Sequence, residues 1–310
     1  MSKYIIKRLL ITIPILFGIT FIVFSIINIT PGDPGRRILG LKATQEAVDT
    51  LNHQLGYDRP FLVRFVNYVK DIVLHFDFGT SYQDGKPVIN TILANFKYTF
   101  RYTLLCTVVY VLIGVPLGVV SAVKQYSFLD NFSRVICICL AAFPSFWISL
   151  MAILLFSLRL HWVPSSGVDT WKCYILPVAV QGILSASSLQ RLTRTVMLES
   201  IRQDYVRTAR SKGASERTVI WKHAFANSVL PIINTVGVHF GAMLGGTVLM
   251  ESVFAMPGLG QVGIKAINAK DIPMVMANTL FLSAIFCLIM LLVDVVSAFA
   301  DPRVRAKYSK

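Results

Sequence analysis

Long uninterrupted runs of apolar residues are the feature of this sequence that most limits what it can fold into. The first run covers residues 9–29 and follows Lys3, Lys7 and Arg8. A helix of about 20 apolar residues is long enough to cross the hydrocarbon core of a bilayer. Only 15% of the residues are charged, whereas soluble domains carry about 25%. We therefore predict an integral membrane protein.

The first run is longer than the apolar part of a signal peptide, which is about 7–15 residues. No small-residue cleavage site follows it, so we expect an uncleaved first helix. Because backbone groups in hydrocarbon must be satisfied within their own segment, each further run is also expected to be a helix. We predict an all-α protein with six transmembrane helices. The five further runs cover residues 102–123, 135–158, 174–189, 229–250 and 277–299.

The polar stretches divide the chain into a first helix, an outer segment and a transport core. The predicted divisions are 1–30, 31–98, 99–300 and a tail at 301–310. The outer segment contains an amphipathic piece with approximately helical spacing. Its apolar residues are Phe61, Phe65, Tyr68, Val69 and Ile72.

The distribution of basic residues predicts the orientation. Of the 30 Lys and Arg residues, 17 lie in the N-terminus, the 124–134 loop, the 190–228 loop and the C-terminus. Short loops rich in Lys and Arg face the cytoplasm. We therefore predict that both termini and the 190–228 loop are cytoplasmic. The same clustering at the ends of apolar runs, without an aromatic and basic stacking module, argues against nucleic-acid binding despite the net charge of +14.

No arrangement of residues typical of an enzyme is found. The closest match to a phosphate-binding loop, from Gly79 to Gly85 and Lys86, has one residue too many and continues with Pro87. The five cysteines show no metal-ligand spacing and are interpreted as packing residues. We expect no metal or cofactor in this chain and no catalytic residue.

The stretch 190–228 is predicted to be a helix, a glycine corner and a second helix. Asp204 is in the position of an N-cap and Gly213 in that of a left-handed C-terminal residue. Ser215 is a second candidate N-cap, with Glu216 in the favourable first turn, and the second helix is expected to end near Asn227. A solvated basic loop would explain the charge alone. A docking element for a soluble partner would explain the capping as well.

Residues 204–215 (DYVRTARSKGAS), followed by Leu230-Pro231, resemble the EAA loop of binding-protein-dependent ABC permeases. They are most similar to the oligopeptide, dipeptide and nickel permease family. Ala209 and Gly213 match the general pattern, whereas Arg207 replaces a glutamate and Thr208 an alanine. Further matches to this family extend over nearly the whole chain. They are 30–34 (TPGDP), 55–60 (LGYDRP), 78–82 (FGTSY), 254–260 (FAMPGLG) and 301–303 (DPR).

This resemblance implies a type I ABC importer permease, a non-catalytic subunit in the bacterial inner membrane. It implies a homologous second permease, two ATPase subunits that bind ATP and Mg²⁺, and an extracytoplasmic substrate-binding protein as partners. The short helix would dock in a cleft of the ATPase, where Ala209 and Gly213 would allow close packing. Polar contacts would come from Arg207, Arg210 and Glu216, and Asp204 belongs to the same coupling loop.

Polar residues within the predicted spans are candidates for the translocation path, because lipid cannot satisfy them. Helix–helix hydrogen bonding is the alternative role. Gly237, Gly241 and Gly245 form a stripe for close helix packing, and Asp294 is interpreted as an interfacial charge. The path candidates are Gln181, Ser185, Ser188, Asn234 and His239.

Two other classes of protein fit less well. A self-sufficient secondary transporter would need intramembrane carboxylates and inverted repeats of broken helices. A membrane-embedded enzyme would need a nucleophile with its base, or metal ligands, in the bilayer. We expect a substrate among dipeptides, longer peptides, glutathione and nickel complexes. Within this set the sequence gives only a preference for peptides.

Overall fold

The computed structural model describes residues 2–29, 34–40 and 42–300. The motif residues 30–33 and the predicted tail 301–310 lie outside this part. Within it the chain is helical apart from its loops and one isolated antiparallel bridge between Thr80 and Pro87.

Fourteen α-helices are present in the described residues, two of them continued by wider π-helical turns. They are α1 Ser2–Ile29, α2 Pro34–Leu39, α3 Gln45–Gln54, α4 Phe61–His75, α5 Val88–Val123, α6 Phe128–Ala142, α7 Ser145–Ala152 (π turn Ile153–Arg159), α8 Ile175–Ile201, α9 Asp204–Ser211, α10 Glu216–Thr218 (π turn Val219–Phe225), α11 Ala226–Gly246, α12 Val248–Val253, α13 Leu259–Ala269 and α14 Ile272–Ala300.

Five segments of the described chain are long and apolar enough to cross a membrane, and one bent pair of helices makes a sixth. Each predicted apolar run falls on one of them, so the prediction of six membrane helices is confirmed. The segments are Ile6–Ile29, Val88–Val123, Phe128–Ala142 with Ser145–Arg159, Trp171–Ile201, Glu216–Gly246 and Ile272–Phe299.

The third predicted span is not one straight helix. α6 and the segment that begins with α7 meet at an angle of 96°. Phe143 is extended at the break, with φ −91° and ψ 138°, and Pro144 follows it. Proline has no N–H to donate and disfavours the helical conformation in the preceding residue, which explains the break.

The contacts between helices show which ends lie on the same side of the bundle. Arg8 near the start of α1 forms an ion pair of 3.0 Å with Asp294 near the end of α14. Ser297 donates a 2.7 Å hydrogen bond to Asn234 in the first half of α11. The start of α1, the end of α14 and the start of α11 therefore share one side. The short helix α9, which precedes α11, belongs to that side as well.

Close packing at glycines joins the central helices. A Cβ atom at Gly114 of α5 would lie 2.8 Å from the Leu189 Cβ of α8, and one at Gly118 would lie 2.5 Å from the Thr193 Cβ. In the stripe of α11, a Cβ at Gly237 would lie 2.0 Å from Val293 of α14. The predicted glycine groove is thus used at Gly237 for packing within the chain.

The opposite end of the bundle is held together by two buried carboxylates. Glu251 accepts hydrogen bonds from Thr99 at 2.7 Å, from Thr247 at 2.9 Å and from the backbone N–H of Gln261 at 3.0 Å. A Cβ at Gly258 would lie 2.1 Å from the Glu251 Oε1. Gly258 of the 254–260 motif is therefore needed, because a side chain there would clash with this carboxylate.

Asp271 is the second of these carboxylates and joins the outer segment to the start of α14. It accepts hydrogen bonds from the Ser81 hydroxyl and, at 3.2 Å, from the backbone N–H of Tyr82. It also caps α14 through the Met274 N–H at 3.3 Å. The Tyr82 hydroxyl in turn bonds to that of Tyr57. The 78–82 motif therefore anchors the outer segment to the start of α14.

Candidate functional site

The short helix α9 lies in a turn between two long helices, α8 and the continuous segment that begins at Glu216. The backbone N–H of Gly213 bonds to the Arg210 carbonyl at 2.9 Å, and that of Ala214 to the Ala209 carbonyl at 3.2 Å. Gly213 has φ +76°, the left-handed conformation that favours glycine. The predicted glycine corner is present.

The first cap differs from the prediction. Gln203 is the N-cap residue and its side chain makes no capping bond, while Asp204 is the first helical residue. An acidic residue in this position still favours the helix because it faces the positive end of the helix dipole. Ser215 is an N-cap as predicted and accepts a 3.4 Å hydrogen bond from the Thr218 N–H.

The second helix of the loop does not end near Asn227. It continues through a π-helical turn and Pro231 to Gly246. At the other end of the predicted stretch, α8 extends as far as Ile201. Proline is tolerated inside membrane helices, where neighbouring groups can satisfy the freed carbonyl. The connecting segment is therefore residues 202–215, not 190–228.

One face of α9 is packed against its own chain. Val206 is completely buried and only 8% of Ala209 is exposed. The two residues belong to an apolar cluster with the ends of α5 and α8 and the start of the next span. Its other buried members are Val119, Ala122, Met197, Val219 and Ala224. In this structure Ala209 packs inside the chain, beneath the connecting segment, and is not exposed to a partner.

Two polar contacts fix the ends of α9. Near its start, the Tyr205 hydroxyl bonds to Ser200 Oγ at 2.7 Å, and Ser200 also donates to the Ala224 carbonyl at 2.9 Å. Near its end, Arg210 donates two hydrogen bonds, of 2.7 and 3.2 Å, to Glu216 across the Gly213 corner. The bonds to Glu216 raise the pKa of Arg210. The helix is held as a rigid projection.

The other face of α9 is exposed and basic. The side chain of Arg207 is 74% exposed and lies 3.8 Å from Asp204, which is exposed as well. Five of the seven charged residues in 202–217 are Arg or Lys. A cleft of about 210 Å³ lies between the ends of α5 and α8 and the start of the next span, and Arg202, Arg210 and Glu216 are among its lining residues. The arrangement suits a surface that meets an acidic partner.

The structure brings together some of the predicted path residues and separates others. Gln181 donates to Ser185 at 3.2 Å, and Ser188 donates to the Ser185 carbonyl at 2.8 Å, so these three share a face of α8. His239 of α11 stacks on Tyr110 of α5, with ring centroids 4.1 Å apart. The Tyr110 side chain also interacts with Ser188 of α8. Polar groups of three helices thus converge.

Asn234 belongs to a different contact, because it accepts its hydrogen bond from Ser297 of α14. Its role in this structure is helix packing. Asp294 is held in the pair with Arg8, which agrees with its interpretation as a charge near the end of a span.

Sequence reasoning missed Tyr110 and the ion pair of Asp130 with Arg194. Tyr110 is an aromatic residue inside an apolar run, where nothing marks it as polar. Asp130 of α6 is fully buried and accepts hydrogen bonds of 2.7 and 2.8 Å from Arg194 of α8. The apolar runs place both charged residues in the 124–134 and 190–228 loops, whereas α6 starts earlier and α8 ends later than these runs.

The cysteines and metal-binding groups add no second site. All five cysteines are free, and Cys106, Cys137 and Cys173 are buried. In the described part of the chain, no three His, Cys, Asp or Glu residues are arranged to hold a metal ion.

These features define a helical membrane protein with a rigid projection on one side, the class of a transporter's membrane subunit. Residues 114–306 match the family described as binding-protein-dependent transport system inner membrane component. Residues 1–103 match its separate N-terminal family. The chain belongs to this family, which confirms the resemblance found in the motifs. It is therefore a permease of a bacterial ABC importer that works with ATPase and substrate-binding partners.

Characterised relatives extend over the whole chain. It is 37% identical over 307 residues to the glutathione transport system permease protein GsiC of Escherichia coli K12, covering 99% of this chain and 100% of that protein. The GsiC protein of Salmonella typhimurium LT2 is 36% identical over the same length.

The fold is shared with a solved transporter. The structure resembles a chain of the inward-facing MetNI methionine ABC transporter, with a TM-score of 0.60 and 17% identity, over 70% of this chain and 99% of that one. A second crystal form of MetNI gives a TM-score of 0.57 with 19% identity. The type I importer fold predicted from the motifs is thereby confirmed.

Proposed function

We propose that this chain forms half of the translocation path of an importer for glutathione or short peptides. A homologous permease would complete the path, and two ATPase subunits would bind ATP and Mg²⁺. The substrate class is supported by the similarity to GsiC over 99% of the chain. It is also consistent with the polar groups of Ser188, Tyr110 and His239, which can hydrogen-bond a peptide.

The observation that carries the coupling part of the proposal is the two-faced helix α9. Its inner residues Val206 and Ala209 join the ends of α5, α8 and the next span. A force applied to its exposed face would therefore move three membrane helices together. Alternating access needs such a link between ATPase closure and two packings of the bundle.

The orientation of the chain is part of the same proposal. The start of α1, the end of α14 and α9 share one side. That side carries most of the basic residues in short loops, which supports a cytoplasmic location for α9 and both termini. We infer that α3, α4 and the 78–82 loop are on the outer side.

The test is transport by the complete complex. The tagged chain would be purified in mild detergent with the subunits that accompany it, reconstituted into vesicles and supplied with its binding protein. We expect ATP-dependent uptake of labelled glutathione or of a labelled dipeptide. Uptake driven by an ion gradient without ATP would contradict the proposal that the complex is an ATP-driven importer. ATP-dependent uptake of neither compound would contradict the substrate class alone.

A further inference from the structure

Helix α4 of the outer segment has three distinct faces. The first packs against the protein: Phe65 is buried, and Phe61, Tyr68 and Val69 are partly buried around it. Ile72 is also partly buried. This cluster includes Phe24 of α1 and Met276 of α14. The predicted amphipathic piece is therefore a helix, and its apolar residues have a partner within the chain.

The second face of α4 is apolar but exposed. Leu62 is 64% exposed, Val66 59% and Val73 67%. They follow one another at spacings of four and seven residues, which places them in one line along the helix beside the packed face. α4 thus carries more apolar surface than its contacts with the chain cover.

The third face is polar. Arg64, Asn67, Asp71 and His75 are spaced by three, four and four residues and form a single stripe. Arg64 bonds to Asn28 near the end of α1 and lies 4.5 Å from the Tyr57 ring centroid. His75 lies 3.8 Å from Asp71. A helix divided in this way is typical of the boundary between lipid and water.

The contacts with α1 show how deep α4 lies. Phe65 meets Phe17 and Phe21 edge to face, at centroid distances of 5.3 and 5.2 Å. Both belong to the membrane span Ile6–Ile29. Phe17 precedes Ile29 by 12 residues, and at about 1.5 Å per residue this is roughly 18 Å along the helix. Phe65 therefore reaches past the boundary into the hydrocarbon region, which is about 30 Å thick.

We propose that α4 is embedded in the leaflet opposite α9, with Leu62, Val66 and Val73 among the acyl chains of phospholipids. The polar stripe then faces headgroups and water. Lys70, which is exposed on the flank of the helix, can extend its ammonium group to the phosphates while its stem stays in lipid. The outer segment is in this way partly a membrane element.

Lipid, rather than a protein partner, fits the surface around this strip. Phe17 and Phe21 of α1 are themselves substantially exposed beside α4. The strip therefore continues the lipid-facing surface of a membrane span and is not an isolated patch. It contains no hydrogen-bonding side chain that a protein partner could recognise.

The test uses site-directed spin labels in the full chain. The five native cysteines are replaced, and single cysteines are placed at Leu62, Val66 or Val73, with Asn67→Cys and Asp71→Cys as controls on the polar stripe. The protein is reconstituted in vesicles of phosphatidylethanolamine and phosphatidylglycerol. We expect labels on the apolar strip to collide several-fold less often with a water-soluble nickel chelate than the Asn67 label, and more often with oxygen.

Two results would overturn the proposal. Equal collision with the nickel chelate at Val66 and Asn67 would place both in water. Shielding of the strip from both reagents would mean that protein covers it, either a second copy or a partner permease. Should the cysteine-free chain not fold, a photoreactive amino acid at Val66 or Asn67 of the native chain serves instead. Capture of phospholipid at Val66 and not at Asn67 is expected; capture of a protein, or of neither, contradicts the proposal.

Discussion

Arg210 donates hydrogen bonds of 2.7 and 3.2 Å to Glu216 and so closes the corner made by Gly213. The pair is exposed, and we expect its loss to change the stability of the whole chain little. Its effect is local, because it holds the end of α9 against the next span. We predict that Arg210→Glu lowers substrate-stimulated ATPase activity of the complex, since two carboxylates then face each other.

The reversed pair is the control for this prediction. Arg210→Glu combined with Glu216→Arg restores the attraction, and ATPase activity in reconstituted vesicles should recover. Equal loss in the single and double variants would show instead that Arg210 contacts the ATPase directly.

The two faces of α9 predict opposite phenotypes for neighbouring positions. Arg207 is exposed, so Arg207→Glu should leave the melting temperature unchanged and weaken retention of the ATPase during purification. Ala209 is buried, so Ala209→Asp places an unpaired carboxylate in an apolar cluster and should destabilise the permease by a few kcal/mol. Thermal unfolding and co-purification measure the two effects. Loss of the ATPase with Ala209→Asp at an unchanged melting temperature would mean that Ala209 faces the partner.

Much of the fold can be predicted from the sequence, because few backbone structures other than a helix can satisfy their own hydrogen bonds inside a bilayer. The six apolar runs correctly predict the six spans. The left-handed conformation of Gly213 and the N-cap at Ser215 are also predictable, because they depend on local chemistry. The 96° break at Phe143-Pro144 was missed because the run is apolar on both sides of the proline. The predicted end of the second loop helix near Asn227 is wrong, because the helix continues through Pro231 into the apolar run.

The candidate sites were less predictable because they depend on which helices are neighbours. Asn234 and His239 lie on the same helix, five residues apart, yet one bonds to α14 and the other stacks on α5. Ala209 matches its motif in the sequence, but its inward direction follows only from the packing of α9. The roles of these residues in transport stay predictions.

The glycine stripe of α11 predicts a graded response to alanine. At Gly237 a Cβ would lie 2.0 Å from Val293, whereas at Gly245 there is no atom within 4 Å. Gly237→Ala should lower stability by about 1–3 kcal/mol, the usual effect of overpacking. Gly245→Ala should be neutral or stabilising, because alanine favours the helix. Thermal unfolding in detergent compares the two variants. Equal stability would show that α14 moves away from α11 without cost.

The buried pair of Asp130 and Arg194 gives the largest expected effect. Asp130 is fully buried and also accepts hydrogen bonds from Ser121 and, at 2.9 Å, from the Tyr126 N–H. Asp130→Asn leaves the largely buried guanidinium of Arg194 without its charge partner. Breaking a buried ion pair from one side costs about 3–5 kcal/mol. We expect a loss of this size in thermal or denaturant unfolding, and little change for the exposed Asp169→Asn.

A double variant separates the attraction of the pair from the penalty of an unpaired charge. Asp130→Leu with Arg194→Met removes both charges and keeps apolar volume, and paired replacements of this kind are often close to neutral. We expect it to be more stable than Asp130→Asn. Because the pair joins α6 to α8 near the connecting segment, ATPase stimulation should fall in both variants if the ion pair itself carries the coupling. Full stimulation in the double variant would assign the pair to stability alone.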